Sequence, residues 1–582
     1  MKSVRVLKAV LMVTLLLWGH VMAGAWAGDQ PLVSIPGLGD IQGSYEQISL
    51  PDGSVKIIQH FSAIPYAEPM TPENRWMPSV KKKPFATNPY DATVACPACP
   101  QLSPEKNIQE DCLYLRVAAP ENAAPGSKLP VMVFIHGGAF MTGSANSDYY
   151  RSGASITAQK DVIVVTINYR LGILGFMVHH GQGGTDTSHG NFGIGDQRLA
   201  VEFVKEYIAA FGGDENNITI FGESAGAMSI GFHLMMENQD YFDAAIMQSN
   251  LYGLPYLTEK ESAGLGKKAL EAAGCDDLAC MREKSWTDVM QVGSGLTAGA
   301  VKDFGLKGIF CFKPVIHDQT FGFKTQPANH VPEKPVILGI NRNEGPLIAL
   351  GIMGDLSQST GIKDLTAMTE AQLDQLIAML FKEKNARRIL EPTKALYPAF
   401  MKESECSFMQ SPPKPNPPET PTKYYTLFTR ILSDMVFTTA NLKYAYDATS
   451  GAHPLYAYHF THVSSCDPWP ILRPQCAECV CHTAELPYLF SSFAAFNPEC
   501  GNPDSWARIT PREYGLSVRM MDFWTRFAAQ RNPGAPWPEF AGAPYAAQLL
   551  DLNITPTPVK ATVVGAQTFY QLYAPIVESE NM

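Results

Sequence analysis

Ile218-Thr219-Ile220-Phe221-Gly222-Glu223-Ser224-Ala225-Gly226 is the stretch on which the reading of this chain turns. Ile218 to Phe221 is a short apolar run of the length a buried strand needs, and Ala225 to Met236 follows as a helix. Between them stands G-x-S-x-G. A glycine on each side lets the backbone turn tightly from strand to helix, which lifts the Ser224 hydroxyl clear of the sheet. The five-residue pattern is weak taken alone. Its strand-turn-helix setting gives it weight.

Upstream, Val131 to Ile135 is a second apolar run, and it leads into His136-Gly137-Gly138-Ala139-Phe140. A glycine-rich turn after a strand leaves backbone N–H groups free to face an anion. The tetrahedral intermediate of acyl transfer requires donors aimed where negative charge develops. Further runs at Val162 to Ile167, Ala244 to Met247, Val336 to Ile340 and Leu455 to Phe460 alternate with helical stretches. That alternation predicts an α/β fold with a central, mostly parallel sheet covered by helices on both faces. From about Pro346 to Asn441 the strand signal fades, and helical patches at Glu370 to Glu383 and Asn385 to Leu396 point to a helical insertion near the site mouth. Within it, residues 411–422 carry six prolines, which excludes regular helix or sheet.

The 582 residues are 46% hydrophobic and 17% charged, enough to bury a large core, and the net charge of −11 carries no nucleic-acid footprint. Residues 1–27 read as an export signal: Lys2, Arg5 and Lys8, then the apolar run Ala9 to Met22, then Ala25-Trp26-Ala27 as a cleavage site. The apolar run is shorter than the ~20 residues of a spanning helix, and no other stretch reads as a membrane span. Residues 28–582 are then a single exported domain, periplasmic or secreted. All twelve cysteines follow the cleavage site, and an even number in an exported chain reads as disulfide material. Cys476-x-x-Cys479-x-Cys481-His482 has spacing that could hold zinc, but in an exported chain the disulfide reading is preferred.

The chain resembles the type-B carboxylesterase and cholinesterase-like family of α/β-hydrolases. The resemblance runs over most of the chain: Phe61 to Pro69 with Arg75, Glu110-Asp111-Cys112-Leu113-Tyr114-Leu115, Asn168-Tyr169-Arg170-Leu171-Gly172, Gly190-Asn191 through Asp196-Gln197, Phe211 to Gly226, and Trp524 to Pro538. It implies an α/β-hydrolase fold with Ser224 as nucleophile. Glu344, in Gly339-Ile340-Asn341-Arg342-Asn343-Glu344-Gly345, would be the acid, and His482, in His482-Thr483-Ala484-Glu485-Leu486-Pro487, the base. The N–H groups of Gly138, Ala139 and Ala225 would form the oxyanion hole. Cys99 and Cys112 resemble the family's first disulfide pair, and Cys275 and Cys280 a second. The first loop contains no tryptophan, where cholinesterases place one for choline, which argues against acylcholine.

The implied activity is that of a serine carboxylesterase acting on small-molecule esters through an acyl-serine intermediate, with no cofactor and no metal required. Two other readings share the fold. One is a non-catalytic binding member of the family, which typically loses the nucleophile or a partner. The other acts on a thioester, amide or carbamate at the same site.

Overall fold

The computed structural model describes residues 30–50, 53–105, 107–147, 149–150, 153–181, 187–381, 383–400, 423–466, 479–501, 508–541, 548–560 and 567–580. The export signal at 1–27, the proline-rich stretch 411–422, Cys406 and Cys476 lie outside them.

Eleven strands form one sheet: β1 (Ser44–Ser49), β2 (Val55–Pro65), β3 (Tyr114–Pro120), β4 (Leu129–Ile135), β5 (Ile163–Ile167), β6 (Gly213–Glu223), β7 (Ala244–Gln248), β8 (Val336–Asn341), β9 (Leu455–Phe460), β10 (Gln548–Leu552) and β11 (Thr557–Lys560). Their spatial order is β11-β10-β9-β8-β7-β6-β4-β5-β3-β2-β1. The seven strands from β5 across to β10 pair in parallel, and both ends of the sheet are antiparallel. All six apolar runs are strands of the parallel part. The antiparallel strands β1, β2, β3 and β11, and β10 at the edge of the parallel part, were not read from sequence, because polar residues interrupt each of them and leave no continuous apolar run.

Side chains of the inner strands alternate between two cores, as the period of two in a strand demands. Val131, Val133 and Ile135 enter one core, while Met132 and Phe134 enter the other. On the first side lie α1 (Phe192–Tyr207), α2 (Ala225–His233) and α3 (Glu259–Ala273). α2 is buried along its whole length and ends at His233, short of the expected Met236. On the second side α4 (Pro511–Gln530) starts at a Thr510 and Glu513 capping box and packs Leu516, Met520, Phe523, Trp524 and Phe527 against the sheet.

The insertion is helical as expected, with helices at Gly345–Gly351, Met353–Thr360, Glu370–Leu380, Glu383–Phe400, Lys423–Leu432 and Thr439–Ala448. Disulfides join Cys99 to Cys112, Cys275 to Cys280 and Cys466 to Cys500. Cys479 and Cys481 are also disulfide-bonded. Cys96 and Cys311 depart from the even-count reading: both are buried free thiols, and burial pushes each thiol up to about 12, which keeps it unreactive.

Several family-like residues prove to be scaffold. Arg170 forms a fork with Asp196, Nε to Oδ2 and Nη2 to Oδ1 both at 2.7 Å, and the pair is buried between the end of β5 and α1. Arg75 clasps Glu110 in the same manner and also donates to the carbonyls of Met281, Arg282 and Lys284. Breaking a buried pair from one side strands a charge away from water. Asp196→Asn is therefore expected to cost about 3 to 5 kcal/mol of stability, read as a lower urea midpoint with an unchanged denaturant slope.

Candidate active site

Ser224 sits between the end of β6 and the first turn of α2, with φ 57° and ψ −123°, a conformation rare for a residue with a side chain. The flanking glycines are needed for space. A Cβ at Gly226 would lie 1.9 Å from the Ile135 carbonyl oxygen, and one at Gly222 would lie 2.7 Å from the same oxygen. The positive φ falls on Ser224 itself, whose N–H donates to the Gln248 carbonyl at 3.0 Å.

The Gly137 to Phe140 turn lies directly against it. A Cβ at Gly137 would meet Ser224 Cβ at 3.0 Å and the Glu223 carboxylate at 2.9 Å, and one at Gly138, at φ 103°, would meet the Thr142 carbonyl at 2.2 Å. Ala139 and Phe140 both take positive φ. The turn is held by Met141 and Thr142 N–H groups donating to Gly138 O, by the Tyr169 hydroxyl donating to His136 O at 2.8 Å, and by Gln101. Gln101 accepts from Gly143 N–H through Oε1 and donates from Nε2 to the Gly143 and Cys99 carbonyls. The Cys99–Cys112 bridge thus anchors the residue that clamps the turn. Among the described residues the N–H groups of Gly138, Ala139 and Ala225 meet no acceptor in a turn, loop or side chain.

Glu344 and His482 come from loops after β8 and β9. Glu344 Oε2 is 2.7 Å from His482 Nδ1, while Oε1 accepts from Ser249 Oγ at 2.7 Å and from the Asn341 N–H at 2.6 Å. The histidine loop is pinned by its neighbours. Asn343 N–H donates to Val480 O, Asn343 Oδ1 accepts from Val480 N–H, and Asn341 Nδ2 donates to Cys481 O. The asparagines beside Glu344 in the G-x-N-x-x-E-G block thus hold the segment that carries His482.

Two further carboxylates complete the cluster. His482 Nε2 lies 3.1 Å from Glu223 Oε1, close enough for an ion pair but off hydrogen-bond alignment, so Nε2 has no hydrogen-bond partner among the described residues. Glu485 accepts from Asn341 Nδ2 at 2.5 Å and Gln248 Nε2 at 3.1 Å, and Gln248 Oε1 in turn accepts from Trp524 Nε1. All four ionisable groups are buried. For His482 burial opposes the imidazolium, but the charges of Glu223 and Glu344 outweigh it and the ring is pushed up to about 9. Burial raises Glu223 well above the ordinary carboxylate range, with Glu485 and Glu344 adding to it and His482 opposing; burial and Glu344 likewise raise Glu485. The cluster therefore keeps a proton at neutral pH.

Ser224, His482, Glu223, Gly138 and Ala139 all line one cleft of about 1090 Å³, which Leu347, Ile348 and Gly351 from the helical insertion also line. Ser103, Pro104 and Glu105 of the first disulfide loop also face it. Sequence reading left Glu223 and Glu485 without roles, though both stand inside the quoted motifs. Gln101 and Gln248 had no local signal, since their partners lie 42 and 237 residues away.

The sequence profile of the Carboxylesterase family matches residues 29–569. This chain belongs to that family. The cAMP-regulated D2 protein of Dictyostelium discoideum is 32% identical over 490 residues, covering 81% of each chain. The para-nitrobenzyl esterase of Bacillus subtilis (strain 168) is 29% identical over 518 residues, covering 86% of this chain and 92% of the relative. A solved PNB esterase superposes with a TM-score of 0.70 at 26% identity, over 93% of this chain and 100% of the other. The fold is that of the α/β-hydrolases, and the protein is a carboxylesterase that hydrolyses carboxylic esters.

The His482 ring, pushed up to about 9, gives up its proton above the ordinary imidazole value of about 6.5, and an activity that requires the neutral ring has the acid limb of kcat/KM there. Glu223→Gln removes one of the charges that raise it. The midpoint of that limb is expected to fall to lower pH in the variant, as measured with a substrate that does not itself titrate.

Proposed function

We propose that this carboxylesterase works through Ser224 as nucleophile, His482 as general base and acid, and Glu344 as the group that orients the ring. The observation that carries the reading is that His482 and Ser224 line one cleft, with Nδ1 bound to Glu344 at 2.7 Å and Nε2 free of a hydrogen-bond partner among the described residues. A serine hydroxyl is a poor nucleophile until a base takes its proton. The Oγ–H proton passes to Nε2 as Oγ bonds to the ester carbonyl carbon, and the imidazolium that forms is stabilised by Glu344. Negative charge on the carbonyl oxygen is received by the N–H groups of Gly138, Ala139 and Ala225; one such donor is worth about 3 to 4 kcal/mol. The C–O bond to the alcohol then breaks, Nε2 returns the proton to the departing oxygen, and water repeats the sequence on the acyl-serine to release the acid.

Before Nε2 can serve Ser224 it must turn from Glu223. Contacts of this kind are often long in the free enzyme and tighten only when substrate is bound. The substrates proposed are uncharged, partly apolar esters. Ala139 lines the cleft and takes room that a glycine would leave, and the first disulfide loop brings no tryptophan to recognise a quaternary ammonium. We further propose a single catalytic domain, 28–582, exported to the periplasm or beyond the cell after removal of residues 1–27. The disulfides support that compartment, since they persist where the environment is oxidising. No helix among the described residues is long and apolar enough to cross a membrane.

Wild-type protein should be labelled by a fluorophosphonate and turn over short-chain p-nitrophenyl esters, whereas Ser224→Ala should lose labelling and at least about 10⁴-fold of kcat. Equal labelling of both proteins would overturn the assignment of the nucleophile. An ester panel varying acyl and alcohol size separately should show the steeper decline on the side bounded by Ala139, and Ala139→Gly should relax it.

A further inference from the structure

Outside the catalytic cleft, two histidines converge on one carboxylate. Val178–His180 and Thr187–His189 form an antiparallel hairpin in which His180 pairs with Thr187 and His189 with Val178. Side chains at alternate positions share a face, so His180 and His189 are diagonal neighbours on the same side of the hairpin. Their rings lie 5.9 Å apart between centroids. Across from them Glu259, the first residue of α3, directs Oε1 at His180 Nε2 (2.7 Å) and at His189 Nδ1 (2.9 Å). The three ligand atoms lie within 4.8 Å of one another.

We propose that His180, His189 and Glu259 bind a divalent transition-metal ion, with zinc as the best-fitting member of the class. Two imidazole nitrogens and one carboxylate oxygen are borderline ligands suited to zinc, cobalt or nickel, and too few and too nitrogen-rich for calcium or magnesium. Bonds of about 2.0–2.2 Å to a tetrahedral ion separate ligand atoms by roughly 3.2–3.5 Å. The carboxylate oxygen now sits 2.7 and 2.9 Å from the two nitrogens, a few tenths of an ångström inside that range, so small side-chain rotations suffice. Each ring nitrogen now facing Oε1 donates a hydrogen to it; on metal binding the ring carries that hydrogen on its other nitrogen and offers a lone pair instead.

The surroundings hold the set in place. Glu259 is 3% exposed, its Oε2 accepts from the Gln319 N–H at 2.7 Å, and its own N–H donates to Ile316 O at 2.8 Å. α3 is pressed onto the hairpin at Gly266, where a Cβ would lie 1.8 Å from the Val178 carbonyl. His180 and His189 are 41% and 36% exposed, which gives an ion a path in and leaves room for water at its remaining position. The hairpin runs directly into α1 through Asn191, whose side chain brackets Val315 with two hydrogen bonds. A bound ion would tie the hairpin, α3 and the 315–319 segment together, a role in stability separate from ester hydrolysis.

The test is calorimetric titration of the full-length, chelator-stripped protein with Zn²⁺ and with Ca²⁺, alongside thermal melts. Wild type should bind one Zn²⁺ saturably, ignore Ca²⁺ and melt at higher temperature with Zn²⁺. His180→Ala/His189→Ala and, independently, Glu259→Gln should weaken Zn²⁺ binding by about 100-fold or more and abolish the rise in Tm, with metal-free ester turnover unchanged. Should the double variant fail to fold, the exposed single change His180→Gln gives the same reading. No saturable Zn²⁺ binding by wild type, equal affinity in the variants, or Ca²⁺ binding as tight as Zn²⁺ would each overturn the site.

Discussion

The start of α2 crosses the end of β4 so closely that no atom beyond hydrogen fits on Gly226 Cα: a methyl there would lie 1.9 Å from the Ile135 carbonyl oxygen. That contact brings two turns from opposite sides of a strand pair onto one seam. β4 ends in the Gly137 to Phe140 turn and β6 ends in Ser224, and Gly137 gives up its own side chain so that Ser224 can lie beside it. Ser224 and the Gly137 to Phe140 turn therefore come from rigid strand ends. Their relative position is a property of the sheet, and only Glu344 and His482 arrive on loops.

Those loops bring a concentration of buried charge that would be costly without partners. Glu344 spends both oxygens, on His482, Ser249 and the Asn341 N–H, and Glu485 is met by the amides of Asn341 and Gln248. Among the described residues no cation answers Glu223 except the imidazole itself, 3.1 Å away. Neutral amides satisfy lone pairs without adding charge, so the carboxylates pull on one ring and the proton stays inside the cluster. The same field favours the charged form of the His482 ring.

The framework around the site is built from pairs that act at long sequence distance. Arg170 with Asp196 fixes the loop after β5 against α1, Arg75 with Glu110 ties the first disulfide loop to the Met281 to Lys284 carbonyls, and Gln101 transmits that anchoring to the turn beside Ser224. Much of what makes the chain recognisable in sequence is therefore support for the seam between β4 and β6 and does not line the cleft.

Local pattern was sufficient for the parallel heart of the sheet, because β4 to β9 are buried on both faces and need continuous apolar runs. Local spacing also put Ser224, Glu344 and His482 forward as site residues, and the fold sets His482 against Glu344 and on one cleft with Ser224. The antiparallel rims escaped, their mixed polarity resembling ordinary loop. So did the helix end at His233 and the two cysteines left as buried thiols. Contacts across the fold were beyond the chain alone: Gln248 on Glu485, Gln101 on Gly143, and His180 and His189 on Glu259 join residues 237, 42, 79 and 70 positions apart. Hydrogen bonding and electrostatics depend on distance in space, and a periodicity of two or 3.6 residues fixes which face a side chain takes without naming what waits on the other side. Residue type and local spacing decided what chemistry the chain could carry; packing decided which groups meet, how strongly each holds its proton, and where the cleft opens.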